Sequence, residues 1–337
     1  MNYMILFKSL RKILLLFLVY ILIFESIFQI LFFFDFKLIK RPILYYNGYC
    51  DQKYWNLYDE KMEFSENVTE HPILSYKKNS VFIPNEFQVK KIIKENFVKD
   101  NIALYGSSYI NHKILRSLLS KYENIKFENY ALESYGLDQI YLSYMLTSHL
   151  NQNRFIIIGF LLEDLDRSIF YKREYQKALF YINENTLNLK NIPIDHNRKL
   201  KNNKDFYLFR FTNNFYNLIK NKFDPRMDKC LIKEKKKIFS YFFENIKKES
   251  KKFNQKLIVI TFNLQEDITK KTSWRHEFVK NYFKESNIKH IDSLEVMNKK
   301  IKENSENVEL YFGRDRHNNK RSYEYILNEF YKIYKAM

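Results

Sequence analysis

The chain has 337 residues, a formal charge of +18 and two cysteines, Cys50 and Cys230. That length holds one sizeable α/β domain with additions, while two cysteines exclude a disulfide framework and offer no metal-site spacing. The charge would ordinarily point to nucleic acid, but the lysines are scattered through predicted helices in a composition rich in Lys, Asn, Ile, Phe and Tyr, so no nucleic-acid partner is expected.

Residues 1–12 form a short basic segment with Lys8, Arg11 and Lys12. The run 13–34 that follows is apolar except for Ser26, Gln29 and one charge, Glu25. At about 1.5 Å per helical residue it spans roughly 30 Å, the thickness of a bilayer core. It is too long for a typical signal-peptide core, and no A-x-A-like site follows. A single-pass membrane anchor is expected, with membrane lipid as its partner and the body of the chain on the extracytoplasmic side. Glu25 is costly in lipid, and the expectation is that an interface or a neighbouring helix makes it tolerable.

Residues 35–99 are Tyr-rich and irregular, with Pro42, Pro72 and Pro84, and read as a linker and lead-in that packs on the main domain. From residue 100 onward strand and helix patterns alternate. Strands are predicted at Asn101–Tyr105, Ile125–Ala131, Phe155–Phe160, Lys256–Thr261 and Lys289–Ile291. Helices are predicted at His112–Tyr122, Leu137–Leu150, Leu231–Phe253, Trp274–Glu285, Leu294–Lys302 and Lys320–Lys335, the last with Tyr323, Ile326, Leu327, Phe330, Ile333 and Tyr334 on one side. Phe155–Phe160 is apolar throughout, as a strand covered on both faces must be. Residues 161–228 lack clean alternation apart from a helix near Phe206–Lys220, and read as an insertion. Five short strands separated by helices imply a three-layer α/β/α domain over 100–337 with a parallel five-stranded sheet of flavodoxin-like type. Its site is expected at the carboxyl ends of the strands.

Two segments carry chemistry. Ile102-Ala103-Leu104-Tyr105-Gly106-Ser107-Ser108 is a buried strand ending in a Gly-Ser turn, which lifts a hydroxyl to the sheet edge. Asp315-Arg316-His317-Asn318-Asn319 places a carboxylate and an imidazole just before the final helix. A serine, a base and an orienting acid are what nucleophilic acyl chemistry requires. Each segment alone also reads as ordinary capping, Ser108 for the helix after it and Asp315 for the last helix. The other histidines, His71, His112, His149, His196, His276 and His290, have no metal spacing and read as structural or surface residues.

Taken in order, the motifs resemble the SGNH (GDSL-like) hydrolase superfamily over roughly residues 100 to 335. Tyr105-Gly106-Ser107-Ser108 stands where that family has Gly-Asp-Ser. Asn129-Tyr130-Ala131 with Tyr135-Gly136-Leu137-Asp138-Gln139 resembles the second block, Ile156-Ile157-Ile158-Gly159-Phe160 with Glu163-Asp164 the third, and Asp315-Arg316-His317 the last. His71-Pro72 with Tyr76 resembles a lead-in found in membrane-anchored members, expected near the site mouth. The resemblance implies Ser108 as nucleophile with Ser107 as runner-up, His317 as general base and Asp315 as its orienting acid. It implies the backbone N–H groups of Ser108 and Gly136 as oxyanion donors. Ser107 stands in place of the family's Asp, and Glu163 stands in place of an Asn amide, a substitution that removes a donor. Asp164 reads as an acid that holds its own loop by accepting backbone N–H groups.

The implied activity is that of a membrane-anchored esterase or acyltransferase acting on an acyl ester of a cell-envelope polysaccharide or lipid-linked glycan, with no metal or cofactor. The alternative is a catalytically degenerate domain that binds or assembles envelope glycans.

Overall fold

The computed structural model describes residues 2–34, 36, 67–93, 95–119, 125–173, 175–184, 186–196, 206–209, 211–212, 215–216, 219, 231–269, 273–314 and 317–337. The chain forms two compact units. One comprises residues 1–63, 172–176 and 196–230, and the other 64–171, 177–195 and 231–337.

In the first unit helix α1 (Asn2–Phe33) is long and apolar enough to cross a membrane. Most of its described side chains, such as Leu15, Phe17 and Leu22, are exposed. Cys50, Cys230 and Pro42 lie outside the described residues.

The second unit begins with an antiparallel hairpin, β1 (Val68–His71) and β2 (Ser75–Lys78). Its two four-residue strands, Val-Thr-Glu-His and Ser-Tyr-Lys-Lys, have no apolar alternation, so the sequence gives no strand signal there. His71 sets the turn. Its Nδ1 accepts the N–H groups of Ile73 and Leu74 at 3.2 and 3.1 Å, and Nε2 lies 3.1 Å from the carbonyl of Pro84. A ring nitrogen that accepts two N–H groups carries no proton, so the other nitrogen is the donor.

The sheet elements follow in chain order: β3 (Val98–Gly106), α2 (Ser108–Asn111), α3 (Lys113–Leu119), β4 (Lys126–Asn129), α4 (Leu137–Thr147) and β5 (Arg154–Leu161). A 3₁₀ segment, Leu162–Ile169, leads to a hairpin, β6 (Leu179–Asn183) and β7 (Thr186–Lys190), inside the stretch expected as an insertion. Then come α5 (Ile232–Lys252), β8 (Lys256–Phe262), α6 (Gln265–Thr269), α7 (Trp274–Glu285), β9 (Lys289–Asp292), α8 (Ser293–Asn304) and α9 (Lys320–Ala336). The sheet order is β4-β3-β5-β8-β9 and every pairing is parallel. In order of appearance this is 2-1-3-4-5, the doubly wound arrangement in which ligands bind at the carboxyl ends where the winding reverses.

Side-chain alternation sorts the helices into two layers. Ile102 and Leu104 of β3 and Phe155 and Ile157 of β5 join one cluster with Leu115, Met297, Ile326 and Phe330, which puts α3, α8 and α9 on that face. The intervening residues face the other way. Tyr105 meets Tyr144 of α4, and Phe160 meets Phe239 and Phe243 of α5, which in turn pack on Phe283 of α7. Phe155, Ile156, Ile158 and Phe160 are wholly buried, so β5 shows no polar alternation. Burial of each such side chain contributes roughly 1.5–3 kcal/mol.

The helix expected over 112–122 is broken at its first residue. His112 has φ −59° and ψ 137°, which ends α2 before α3 starts.

Candidate active site

Ser108 is the first residue of α2, directly after the turn that closes β3. Two glycines put it there. Gly106 and Gly159 are paired across β3 and β5, and α2 lies on top of both. A Cβ on Gly106 would stand 2.2 Å from the carbonyl oxygen of Gly159 and 2.8 Å from Ile110 Cγ1. One on Gly159 would stand 2.1 Å from the same Ile110 atom. Neither glycine is needed for a positive φ here; each is needed for space.

His317 arrives from the loop before α9. That loop is held by Gly313 N–H donating to His317 O at 2.8 Å, by the Phe312–Asn318 bridge, and by Asn319 N–H donating to Tyr311 O at 3.0 Å. The Asn319 side chain also caps α9 by accepting the N–H of Ser322 at 3.2 Å. His317 Nε2 then stands 3.0 Å from Ser108 Oγ. That is hydrogen-bond reach between a hydroxyl and an imidazole separated by 209 positions in sequence.

Three other rings bound this pair. Tyr109 packs on His317 with centroids 4.5 Å apart, and its backbone carbonyl accepts the Tyr323 hydroxyl at 3.0 Å. His112 stacks on His317 at 5.2 Å and 19°, and on Tyr323 at 5.6 Å and 21°. His112 thus forms part of the site's wall, a place the sequence reading did not give it. Its place comes from the break at His112 that ends α2, which has no signal in the sequence.

Ser107 is placed differently. It is the residue before α2, only 2% exposed, and its hydroxyl makes no capping bond. The structure therefore brings Ser108 and not Ser107 to His317. Nor does Ser108 cap the helix, since the capping position belongs to Ser107. Asp315 lies outside the described residues.

Gly136 is the residue before α4, and its N–H donates to Gln139 Oε1 at 3.2 Å. Gln139 Nε2 in turn donates to Leu74 O at 2.7 Å, so the lead-in hairpin is tied to this loop. Tyr76 and Tyr135 repeat the tie: each hydroxyl donates to a backbone carbonyl, Tyr76 to Glu133 and Tyr135 to Tyr76. A Cβ at Gly136 would meet Asp138 Oδ1 at 2.4 Å and Arg167 Cβ at 2.8 Å. Asp138 is fully buried and paired with Lys177 at 2.7 Å. Burial pushes its carboxyl up from the ordinary value, with Lys177 pulling the other way.

Lys78 of β2 donates to Asn111 Oδ1 at 2.7 Å, and Asn129 Nδ2 donates to the same oxygen at 3.2 Å. The last residue of α2 is thereby anchored to both the lead-in and the end of β4, and the turn that carries Ser108 is held at both ends.

After β5, Glu163 and Asp164 open the 3₁₀ segment. Asp164 Oδ2 accepts the N–H of Leu161 at 3.0 Å and Oδ1 pairs with Arg167 at 3.3 Å, so it holds its own turn. Burial raises the Glu163 carboxyl pKa, while Arg275 opposes the shift. Within this segment Asp166 is clasped by Lys235 at 2.7 Å and by Arg275 at 2.7 and 2.8 Å, all three buried.

Fold and site together define a doubly wound α/β domain with a serine–histidine pair at the carboxyl edge of its sheet. No protein-family model and no curated protein matches the sequence. Among solved structures, the chain is similar to a member of the lipolytic protein G-D-S-L family from Veillonella parvula DSM 2008. The identity is 11% and the TM-score 0.42, over 70% of this chain and 99% of that one. It is also similar to protein YXIM from Bacillus subtilis, at 9% identity and a TM-score of 0.39, over 70% of this chain and 57% of that one.

Proposed function

We propose that this protein is a membrane-anchored serine esterase or acyltransferase. The observation that carries the reading is the 3.0 Å approach of His317 Nε2 to Ser108 Oγ. In the proposed cycle His317 takes the Ser108 proton as Oγ attacks an ester carbonyl. The tetrahedral intermediate collapses to an acyl-serine, and His317 returns the proton to the departing alcohol. Water or a second alcohol then attacks the acyl-serine with the same histidine as base, which gives hydrolysis or transfer. Asp315 is the acid proposed to orient His317. The Ser108 N–H, with Gly136 freed from Gln139, is proposed to face the oxyanion. The substrate class, an acyl ester on a cell-envelope polysaccharide or lipid-linked glycan, is supported by the sequence resemblance together with a helix able to anchor the domain at a membrane. An extracytoplasmic location is part of the same proposal.

A second reading is favoured by one feature, the engagement of Gly136 N–H by Gln139, beside a carboxylate at Glu163 where an amide is usual. It is a glycan-binding or assembly component that has lost catalysis.

Fluorophosphonate labelling of the detergent-solubilised full-length protein, scored by intact mass, separates the two. The esterase reading expects one adduct, lost in Ser108→Ala and His317→Ala and kept in Ser107→Ala. A folded wild type that takes no adduct would overturn it in favour of the binding protein.

A further inference from the structure

Glu25 is the one acidic residue of α1, and it is 6% exposed. Its carboxylate accepts Gln29 Nε2 at 3.2 Å, and the backbone N–H groups of Tyr207 and Leu208 at 3.0 Å each. Those two N–H groups stand at the start of helical backbone at residues 207–209, 211–212, 215–216 and 219. The first N–H groups of a helix have no partner within it, and a carboxylate satisfies them favourably. Rings extend the contact. Phe28 stacks on Phe211 at 4.6 Å, Phe32 meets Tyr207 at 4.4 Å, and Phe211 stacks on Phe215 at 6.1 Å. All of these residues belong to the same compact unit.

We propose that the described residues between 206 and 219 enter the same bilayer as α1 and lie in lipid beside its carboxyl-terminal half, with Glu25 as the post that holds them. The inference rests on α1 crossing a bilayer, as the proposed function requires. Glu25 lies eight residues before Phe33, the end of α1, which is about 12 Å along the helix axis. In a hydrocarbon core of roughly 30 Å that depth is well inside lipid, so a segment bonded to Glu25 by its backbone shares it. Its exposed side chains suit that place. Phe206, Phe209, Phe215, Tyr216 and Ile219 are all exposed, as are Phe24, Ile27 and Ile30 of α1, and in water this would be a costly apolar surface. Hydroxyl groups turn inward, as they must without solvent. Thr212 donates to the carbonyls of Leu208 and Phe209, and Ser26 to that of Leu22. Arg210 is the sole charge between 206 and 219.

The test uses full-length protein with Cys50→Ser and Cys230→Ser, carrying single cysteines labelled with an environment-sensitive fluorophore. The protein is reconstituted in phosphatidylcholine vesicles doped with nitroxide-labelled lipid. Phe209→Cys and Phe215→Cys report on the segment, Phe17→Cys on α1, and Lys299→Cys on an exposed helix of the other unit. All four positions are exposed in the fold, and Phe209→Cys keeps the Phe211–Phe215 stack that Phe215→Cys removes. The expected result is loss of Phe209→Cys and Phe215→Cys fluorescence to the lipid nitroxide, to the extent seen at Phe17→Cys, with shielding from aqueous iodide. Adding Glu25→Leu is expected to abolish lipid quenching at Phe215→Cys and leave Phe17→Cys unchanged. Iodide quenching matching Lys299→Cys would overturn the proposal. Shielding from both quenchers would also overturn it, because a protein surface then covers the segment. Failure at Phe17→Cys as well would sink the anchor reading along with it, whereas failure at the segment alone leaves the anchor standing.

Discussion

Ile110 rests on Gly159 so closely that the smallest side chain at the glycine would stand 2.1 Å from Ile110 Cγ1. This contact sets the height of α2 over the sheet, and with it the position of Ser108 at the start of the same helical turn. Gly159→Ala is therefore expected to lift α2. Overpacking of this kind costs about 1–3 kcal/mol, and a nucleophile displaced by 1 Å loses on the order of 10²-fold in rate. Thermal unfolding and the fluorophosphonate labelling rate measure the two effects, and unchanged values for both would show that the turn adapts without moving Ser108.

The wall beside His317 offers a second test. His112 is stacked between His317 and Tyr323, so His112→Ala leaves the imidazole of His317 without a flat neighbour on one side. The labelling rate is expected to fall by up to roughly 10²-fold from misplacement of the base. His112→Phe, which restores a ring, is expected to recover most of the loss. Equal losses in the two variants would mean that His112 contributes something other than packing.

The parallel sheet was legible because its three inner strands, β3, β5 and β8, contain apolar runs that alternate with helices. β5, the most buried, was the plainest, and the helix expected near Trp274–Glu285 is α7. The hairpin Val68–Lys78 was not legible, because its order comes from His71 nitrogens and tyrosine hydroxyls bonding to backbone, interactions with no periodicity. At the site, Ser108 and His317 were readable as a motif pair, but their 3.0 Å approach depends on a loop closure across 209 positions. Glycine spacing alone gives no hint that Gly106 and Gly159 pair under Ile110. The resemblance ranked Ser108 ahead of Ser107, and it is the backbone turn that buries one and sets the other beside His317. The region around Glu25 was legible in kind: a charge in an apolar run requires a partner, and the sequence could not say that the partner is the backbone at Tyr207 and Leu208.

Asp166 anchors the segment after β5 by pairing with both Lys235 and Arg275 in the interior. Removing one member of a buried ion network leaves uncompensated charge, which costs about 3–5 kcal/mol. Asp166→Ala is expected to destabilise the folded domain by that order. The triple change Asp166→Leu, Lys235→Met, Arg275→Leu is expected to recover much of it, since well-packed apolar replacements carry no desolvation penalty. Urea unfolding compares them. A triple variant less stable than Asp166→Ala would show that the charges are needed for packing and not merely for one another.

Glu163 joins stability to chemistry. Burial raises its carboxyl pKa, against the pull of Arg275, so the folded chain binds this proton more tightly than the unfolded chain, whose glutamates titrate near about 4.3. The favourable contribution of the protonated group is complete below that unfolded value and is lost as pH rises through the higher folded value. Above it, the fold carries a charge it would rather not hold. Glu163→Gln is always neutral, so its Tm is expected to exceed that of wild type at pH 8, with the difference shrinking toward pH 4. If Glu163 stands where the resemblance implies an oxyanion amide, the same change also restores a donor. Loss of one such donor typically costs about 10²–10³ in turnover, so labelling of Ser108 is expected to rise in Glu163→Gln at pH 8. The gain should narrow at acid pH, where the protonated Glu163 of the wild type can donate as well. A rise in Tm without a rise in labelling would place Glu163 in the buried framework and outside the oxyanion site.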